Sequence, residues 1–249
     1  MSNSSLVVYT KMSPNNSGKR TKAIDRITPH CVVGQVTIER LGDIFARPAR
    51  KASSNYGIGL DGKIGLFVDE DCRSWCSSSA PNDQRAVTIE CASDNFEPYR
   101  FNNEVYKALA ELCADICRRN GKKKVVWIAD KAAALKYKPA ADEMQFTVHR
   151  WFANKSCPGN WMFDRMQQLT DDVNALLGEA PAPFTPYIVR VRVQRLNIRK
   201  GPGTDTPVMD RCAPGLYTIV EEASGPGASK WGRLKSGAGW ISLDYATRI

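Results

Sequence analysis

The sequence predicts an α/β domain on a mixed sheet flanked by helices, followed by a small all-β barrel, and three observations lead there. Up to Gly178, short strand-like runs alternate with segments of helical periodicity, the pattern of a sheet covered by helices. Residues 179–186 (EAPAPFTP) place three prolines in eight positions and read as a stiff linker. Beyond them the chain turns to brief alternating stretches punctuated by glycine and proline, as small barrels do. The expected organisation is a first domain over 1–178, the linker, and a second domain over 187–249.

Each element has its own signal. Residues 1–22 are polar, rich in Ser, Asn and Lys, and read as a leader that drapes over the surface or stays partly disordered. Residues 23–30 (AIDRITPH) read as a strand ending at Pro29. A hairpin is expected from 55–59 and 64–68, two apolar runs around Asp61-Gly62. Residues 86–92 (AVTIECA) alternate as a strand. Residues 102–120 carry the stripe Val105, Leu109, Leu112, Ile116 of a helix, and 123–129 (KKVVWIA) form another strand. After a loop beyond His149, Asn160 is expected to cap a helix with Met162, Met166, Leu169, Val173 and Leu176 on one face, stopping near Gly178.

Composition bounds the function classes. With 43% hydrophobic and 24% charged residues, the chain has the make-up of a soluble globular protein with a real core. Its longest apolar runs, such as 125–129, fall far short of the ~18 residues of a membrane span. The first twenty residues lack the pattern of a secretory signal, so synthesis in the cytoplasm is expected. Thiols stay reduced there, and most of the eight cysteines read as small buried hydrophobes. Two C-x3-C pairs, Cys72/Cys76 and Cys113/Cys117, leave a disulfide or a second metal site open, although the latter pair lies along the helix stripe. A net charge of +9 favours polyanions without choosing among nucleic acid, anionic membrane and a teichoic-acid-bearing wall.

Only two histidines occur, His30 and His149, both where strands are expected to end. Cys157 follows His149 by eight residues, across a loop able to fold the thiolate back toward the imidazole. Two imidazoles, one thiolate and a fourth position for water make a catalytic zinc site rather than a closed structural one. Spacing alone leaves the alternative of packed or surface histidines.

Four segments in order, 27–30 (ITPH), 54–62 (SNYGIGLDG), 82–90 (NDQRAVTIE) and 149–159 (HRWFANKSCPG), resemble the zinc N-acetylmuramoyl-L-alanine amidases of phage endolysins and bacterial autolysins, relatives of the peptidoglycan recognition proteins. The resemblance runs from about Ile24 to Leu177. It implies that His30, His149 and Cys157 hold Zn2+, that Glu90 is the catalytic acid/base, and that Lys155, two residues before Cys157, stabilises the oxyanion. Tyr56 is left as a groove or core residue, and Cys31 is expected to point to the opposite strand face. Implied partners are bacterial peptidoglycan and no nucleic acid. The implied place of action is the cell wall, reached from the cytoplasm through a phage holin or by another route.

Residues 195–204 (RLNIRKGPGT) and 238–242 (AGWIS) resemble the bacterial Src-homology-3-like family, which implies binding to wall peptide or glycan. Trp231, Trp240, Tyr217 and Tyr245 supply its aromatic mass. Other readings are a non-catalytic peptidoglycan-binding protein on the same fold, and a cysteine hydrolase using Cys157 with a histidine. Nucleic-acid binding has no recognised motif behind it.

Overall fold

The computed structural model describes residues 3–178, 184–225 and 227–249. Contacts divide the chain into two compact units, Met1–Glu179 and Ala180–Ile249. Residues 179–183 of the expected linker lie outside the described residues, and 184–186 have no regular structure.

In the first unit the chain runs through β1 (Val7–Thr10), β2 (Asn16–Lys19), β3 (Arg26–Cys31), α1 (Ile38–Phe45), β4 (Tyr56–Ile58), β5 (Ile64–Leu66), β6 (Cys72–Ser74), α2 (Ala80–Asp83), β7 (Ala86–Cys91), α3 (Asn103–Arg119), β8 (Lys124–Val126), α4 (Lys131–Lys136), β9 (Glu143–Phe146), α5 (Asn160–Phe163) and α6 (Met166–Leu177). Seven strands make a mixed sheet in the order β1-β5-β4-β7-β3-β9-β8, and β2 pairs with β6 alone. The α/β class read from the sequence is the class observed.

Alternation along the two central strands separates core from site. Ile27 and Cys31 of β3, with Val87, Ile89 and Cys91 of β7, enter the core that α3 and α6 cover. Thr28, His30, Thr88 and Glu90 fall on the other face, because successive strand residues alternate. On that face α1 packs Ile38, Leu41 and Phe45 against Phe67. Its close approach needs bare backbone below, since a Cβ at Gly57 would stand 2.5 Å from the Phe67 ring and one at Gly65 2.6 Å from Ile38.

The helix α3 follows its sequence signals. Asn102 caps it by accepting from the Val105 amide at 2.9 Å, and Val105, Leu109, Leu112 and Ile116 are fully buried. Each such aliphatic side chain contributes roughly 2 kcal/mol. Cys113 and Cys117 belong to the same buried face, and all eight cysteines are free thiols.

Several expectations need correction. The polar leader is folded: β1 pairs with β5 at the sheet edge, the Ser4 amide donates to the Tyr56 hydroxyl at 3.0 Å, and the Glu70 amide donates to Asn3 at 2.9 Å. Its polarity is that of a half-exposed edge strand. The strand β3 does not end at Pro29 but runs through it. Pairing with β9 stops at Ile27, so the flank on which Pro29 lacks an N–H has no ladder to lose. Asn160 is the first helical residue rather than the cap, its side chain accepting from Arg150 at 3.1 Å. A break at 164–165 then separates α5 from α6, and the apolar stripe continues at Leu177 while Leu176 is 43% exposed.

The second unit contains β10 (Tyr187–Val191), β11 (Leu196–Arg199), β12 (Val208–Cys212), β13 (Gly215–Gly225), β14 (Ala228–Leu234), β15 (Trp240–Ser242) and β16 (Ala246–Arg248). All neighbours are antiparallel, in the order β12-β11-β15-β14-β13-β10-β16. Its core is aliphatic, with Val189, Val191, Ile198, Ile219 and Ile241 at the centre. Of the aromatics singled out, Trp231 is buried, Tyr217 packs at the core margin, and Tyr245 is exposed. Among the described residues no helix is long and apolar enough to cross a membrane.

Candidate metal centre

The site forms where β3, β7 and the segment after β9 end side by side. His30 and Glu90 are register partners in the parallel β3/β7 pair, so their side chains leave the same face. His30 is 0% exposed. His149 opens a single 3-10 turn, His149–Trp151, just beyond β9. The loop after it folds back as spacing suggested, because the Arg150 amide donates to the Cys157 carbonyl at 3.1 Å. Cys157 Sγ thereby comes to 3.3 Å from His30 Nδ1, and the two imidazole centroids lie 5.0 Å apart.

Donor atoms of His30, His149 and Cys157 all lie within 4.8 Å of one another. Burial and the neighbouring His149 push His30 well below the ordinary imidazole value, and burial followed by the Lys155 charge lowers His149. Both rings are therefore neutral, the form in which nitrogen ligates a metal. Burial, with Cys31 as hydrogen-bond neighbour, pushes the Cys157 thiol up. A dication reverses that shift, since it binds the thiolate. Two neutral imidazoles and one thiol facing a common point are a donor set that suits zinc.

Glu90 stands beside this set. Its Oε1 accepts from the Cys76 thiol at 3.7 Å, while Oε2 is buried without a partner among the described residues, as is His30 Nε2. Burial raises the carboxyl to about 7, against the pull of the Cys76 hydrogen bond and the Arg50 charge. Such a group exchanges a proton near neutral pH. His30, Cys76 and Glu90 also lie within 4.8 Å of one another, a second potential donor set sharing His30.

Two clefts meet at the centre. One, of about 480 Å³, is lined by Arg50, Arg73, Trp75, Glu90, His149 and Lys155. The other, of about 650 Å³, adds Val33, Ile44, Arg47 and Cys157 and is more apolar. Lys155 is exposed and borders both, beside His149. Tyr56 is not at the centre: it is fully buried and donates to Glu70 at 2.8 Å. Cys31 packs in the core behind the sheet, and at the strand end it also lines the second cleft beside Cys157.

Sequence reasoning missed Arg50 and Ser78, and it weighed Cys76 only as the partner of Cys72. Ser78 Oγ is 3.1 Å from His149 Nε2, so Nδ1 is the ring nitrogen it leaves free of this contact. Nothing local ties Cys76 to Glu90. The run Ser77-Ser78-Ser79 before Ala80-Pro81 does announce a helix start, and Ser79 is indeed the cap of α2.

Residues 20–160 match the family described as N-acetylmuramoyl-L-alanine amidase. Among solved structures, the chain resembles a mutant endolysin from Bacillus subtilis (13% identity, 66% of this chain and 97% of that one, TM-score 0.48). It also resembles the Staphylococcus aureus hydrolase AmiA in complex with its ligand (13%, 69% and 85%, 0.48) and Drosophila peptidoglycan recognition protein SD (18%, 64% and 88%, 0.45). No curated protein matches its sequence significantly. The family match covers more than half of the chain, including His30, Glu90, His149, Lys155 and Cys157, and the chain belongs to the N-acetylmuramoyl-L-alanine amidase family.

Proposed function

We propose that the protein is a zinc-dependent hydrolase that cuts the amide between N-acetylmuramic acid and the L-alanine of the stem peptide, and so lyses bacterial cell wall. The observation that carries this reading is the convergence of two neutral imidazoles and a thiol beside a buried carboxyl with one unpartnered oxygen. His30, His149 and Cys157 would hold the ion. When bound, zinc supplies a Lewis acid and lowers the pKa of water to about 7.

The remaining chemistry belongs to the chain. Glu90 Oε2 takes the proton of the attacking water as the C–O bond forms, then returns it to the alanine nitrogen as the C–N bond breaks. Lys155 holds an ammonium at the cleft edge, where it faces the oxyanion of the tetrahedral intermediate. The products are a glycan with a free lactyl carboxylate and a stem peptide with a free amino terminus.

The second unit we read as a Src-homology-3-like wall-binding domain. Its Leu-Asn-Ile-Arg and Gly-Trp-Ile motifs and its antiparallel sheet support this, and a cleft of about 340 Å³ between Arg195, Arg199, Trp231 and Tyr245 is a candidate for the wall ligand. Attachment to the wall raises the effective concentration of an insoluble substrate.

The test is digestion of purified peptidoglycan with mass spectrometry of the products, with and without a chelator. Released stem peptides with new alanine amino termini, and glycan with no new reducing ends, are expected, the release being lost on chelation and restored by zinc. New reducing sugar ends, or cuts between amino acids, contradict the reading. Activity that survives chelation but dies on thiol alkylation points instead to a cysteine hydrolase.

A further inference from the structure

Between β6 and α2 the chain makes a tight turn whose contacts are more numerous than a connection needs. Asp83, 2% exposed, accepts from the Cys76 amide at 3.1 Å, the Ser77 amide at 3.1 Å and the Ser77 hydroxyl at 2.5 Å. Asn82 donates to the same hydroxyl at 3.2 Å, and Ser74 at the root of the turn shares a 2.7 Å hydrogen bond with Thr88, two residues before Glu90. Ser78 adopts a left-handed backbone, φ +59°, which a residue with a Cβ takes up only where its surroundings hold it.

Two side chains leave this clasped turn for the metal centre. The Cys76 thiol donates to Glu90 Oε1, and Ser78 Oγ meets His149 Nε2. In each case the contact occupies one atom and leaves its twin: Oε2 of Glu90 has no partner among the described residues, and Nδ1 is the ring nitrogen of His149 that Ser78 does not touch. Burial pushes the Cys76 thiol up, which keeps it a donor.

We propose that the Cys76–Ser78 turn, clasped by Asp83, is the positioning element of the centre, fixing which oxygen of Glu90 and which nitrogen of His149 face the reaction. The assignment rests on the amidase reading above and adds residues that act through Glu90 and His149 rather than on substrate. Groups that orient a metal ligand change metal affinity by about 10–100-fold when removed, and carboxylate partners fix the geometry of proton transfer.

The experiment compares Ser78→Ala, Cys76→Ala and Cys76→Ser with wild type in zinc affinity by chelator competition, in kcat and KM on muropeptide, and in Tm. Ser78 is exposed, so its alanine variant is expected to fold, with zinc bound about 10-fold more weakly and Tm unchanged. Cys76→Ala is expected to lower kcat about 10-fold at constant KM and zinc affinity, and Cys76→Ser to recover most of it, because a hydroxyl still donates to Oε1. Zinc affinity within twofold of wild type for Ser78→Ala, or kcat within twofold for Cys76→Ala, overturns the proposal. So do losses that follow Tm in all three variants. A wild type that binds zinc yet cuts no muropeptide removes the amidase reading itself, and the Ser78→Ala affinity then still decides whether the turn positions His149.

Discussion

Two buried polar clusters occupy opposite sides of the strand β4, and they are finished to different degrees. In one, Glu70 is 1% exposed and every carboxylate oxygen is taken: Arg119 reaches it at 2.9 and 2.7 Å, Asn120 at 2.9 Å and Tyr56 at 2.8 Å. In the other, Glu90 and His30 each keep a buried atom without a partner, and burial has moved both away from their ordinary protonation. Unmade hydrogen bonds in low dielectric are costly, and two of them on neighbouring acid and base groups mark this cluster out from the first. The satisfied cluster welds the N-terminal segment, β4 and α3 together. The incomplete one is the centre to which the proposed function assigns the metal and the proton transfer.

The sharpest break of this comparison is Arg119→Ala. It leaves the Glu70 carboxylate buried with two of these four hydrogen bonds gone and is expected to cost about 3–5 kcal/mol of stability, read by denaturant unfolding, with zinc content unchanged in the folded fraction. A loss below 1 kcal/mol would mean that the network is ornamental. Next comes Glu90→Ala, expected to retain zinc while turnover falls by roughly 100-fold or more, about 3 kcal/mol in barrier. Near-normal turnover takes Glu90 out of the mechanism.

A third effect is thermodynamic and belongs to the metal-free protein. A carboxyl raised from its ordinary 4.5 to about 7 binds its proton more tightly in the folded state. Its contribution therefore favours folding at low pH and is lost as pH rises from about 4.5 through about 7. Glu90→Gln should accordingly stabilise metal-free protein by about 1–3 kcal/mol at pH 8 and by little at pH 4, measured by thermal unfolding. Equal stabilisation at both pH values would show that the ionised form is not disfavoured. Bound zinc should shrink the difference, because its charge lowers the carboxyl again. The smallest effect is Lys155→Met, whose exposed ammonium is expected to give about 10-fold in kcat, with salt weakening the wild-type advantage. An unchanged kcat would return Lys155 to the role of a solvated loop lysine.

How much of this was readable follows from how local each signal is. The Asp61-Gly62 hairpin, the capped stripe of α3 and the strand ending near Glu90 depend on neighbours within a few residues and were legible. The helices α1 and α4 and the strand β9 were not, and the strands β1 and β2 hid in what read as a polar leader. The edge strand β1 only half-buries every second residue, and its partner β5 lies more than fifty positions away, so nothing near Val7 announces the pairing. Cys76 illustrates the same limit at the site: its C-x3-C spacing to Cys72 is a distraction, because the Cys72 thiol turns to Asp71 and the Cys76 thiol to Glu90.

Residue chemistry by itself offered two histidines and one cysteine on a returning loop as candidates to hold zinc, while Glu90 on its alternating strand was singled out by the resemblance to the amidase family. Tertiary structure alone decided that β3 and β7 lie in parallel register with His30 opposite Glu90, and that a serine turn from elsewhere meets His149. The reason is physical. Donor identity is a property of one side chain, whereas protonation, orientation and the atom left unpartnered depend on burial and on groups brought together across 60 to 127 positions of chain.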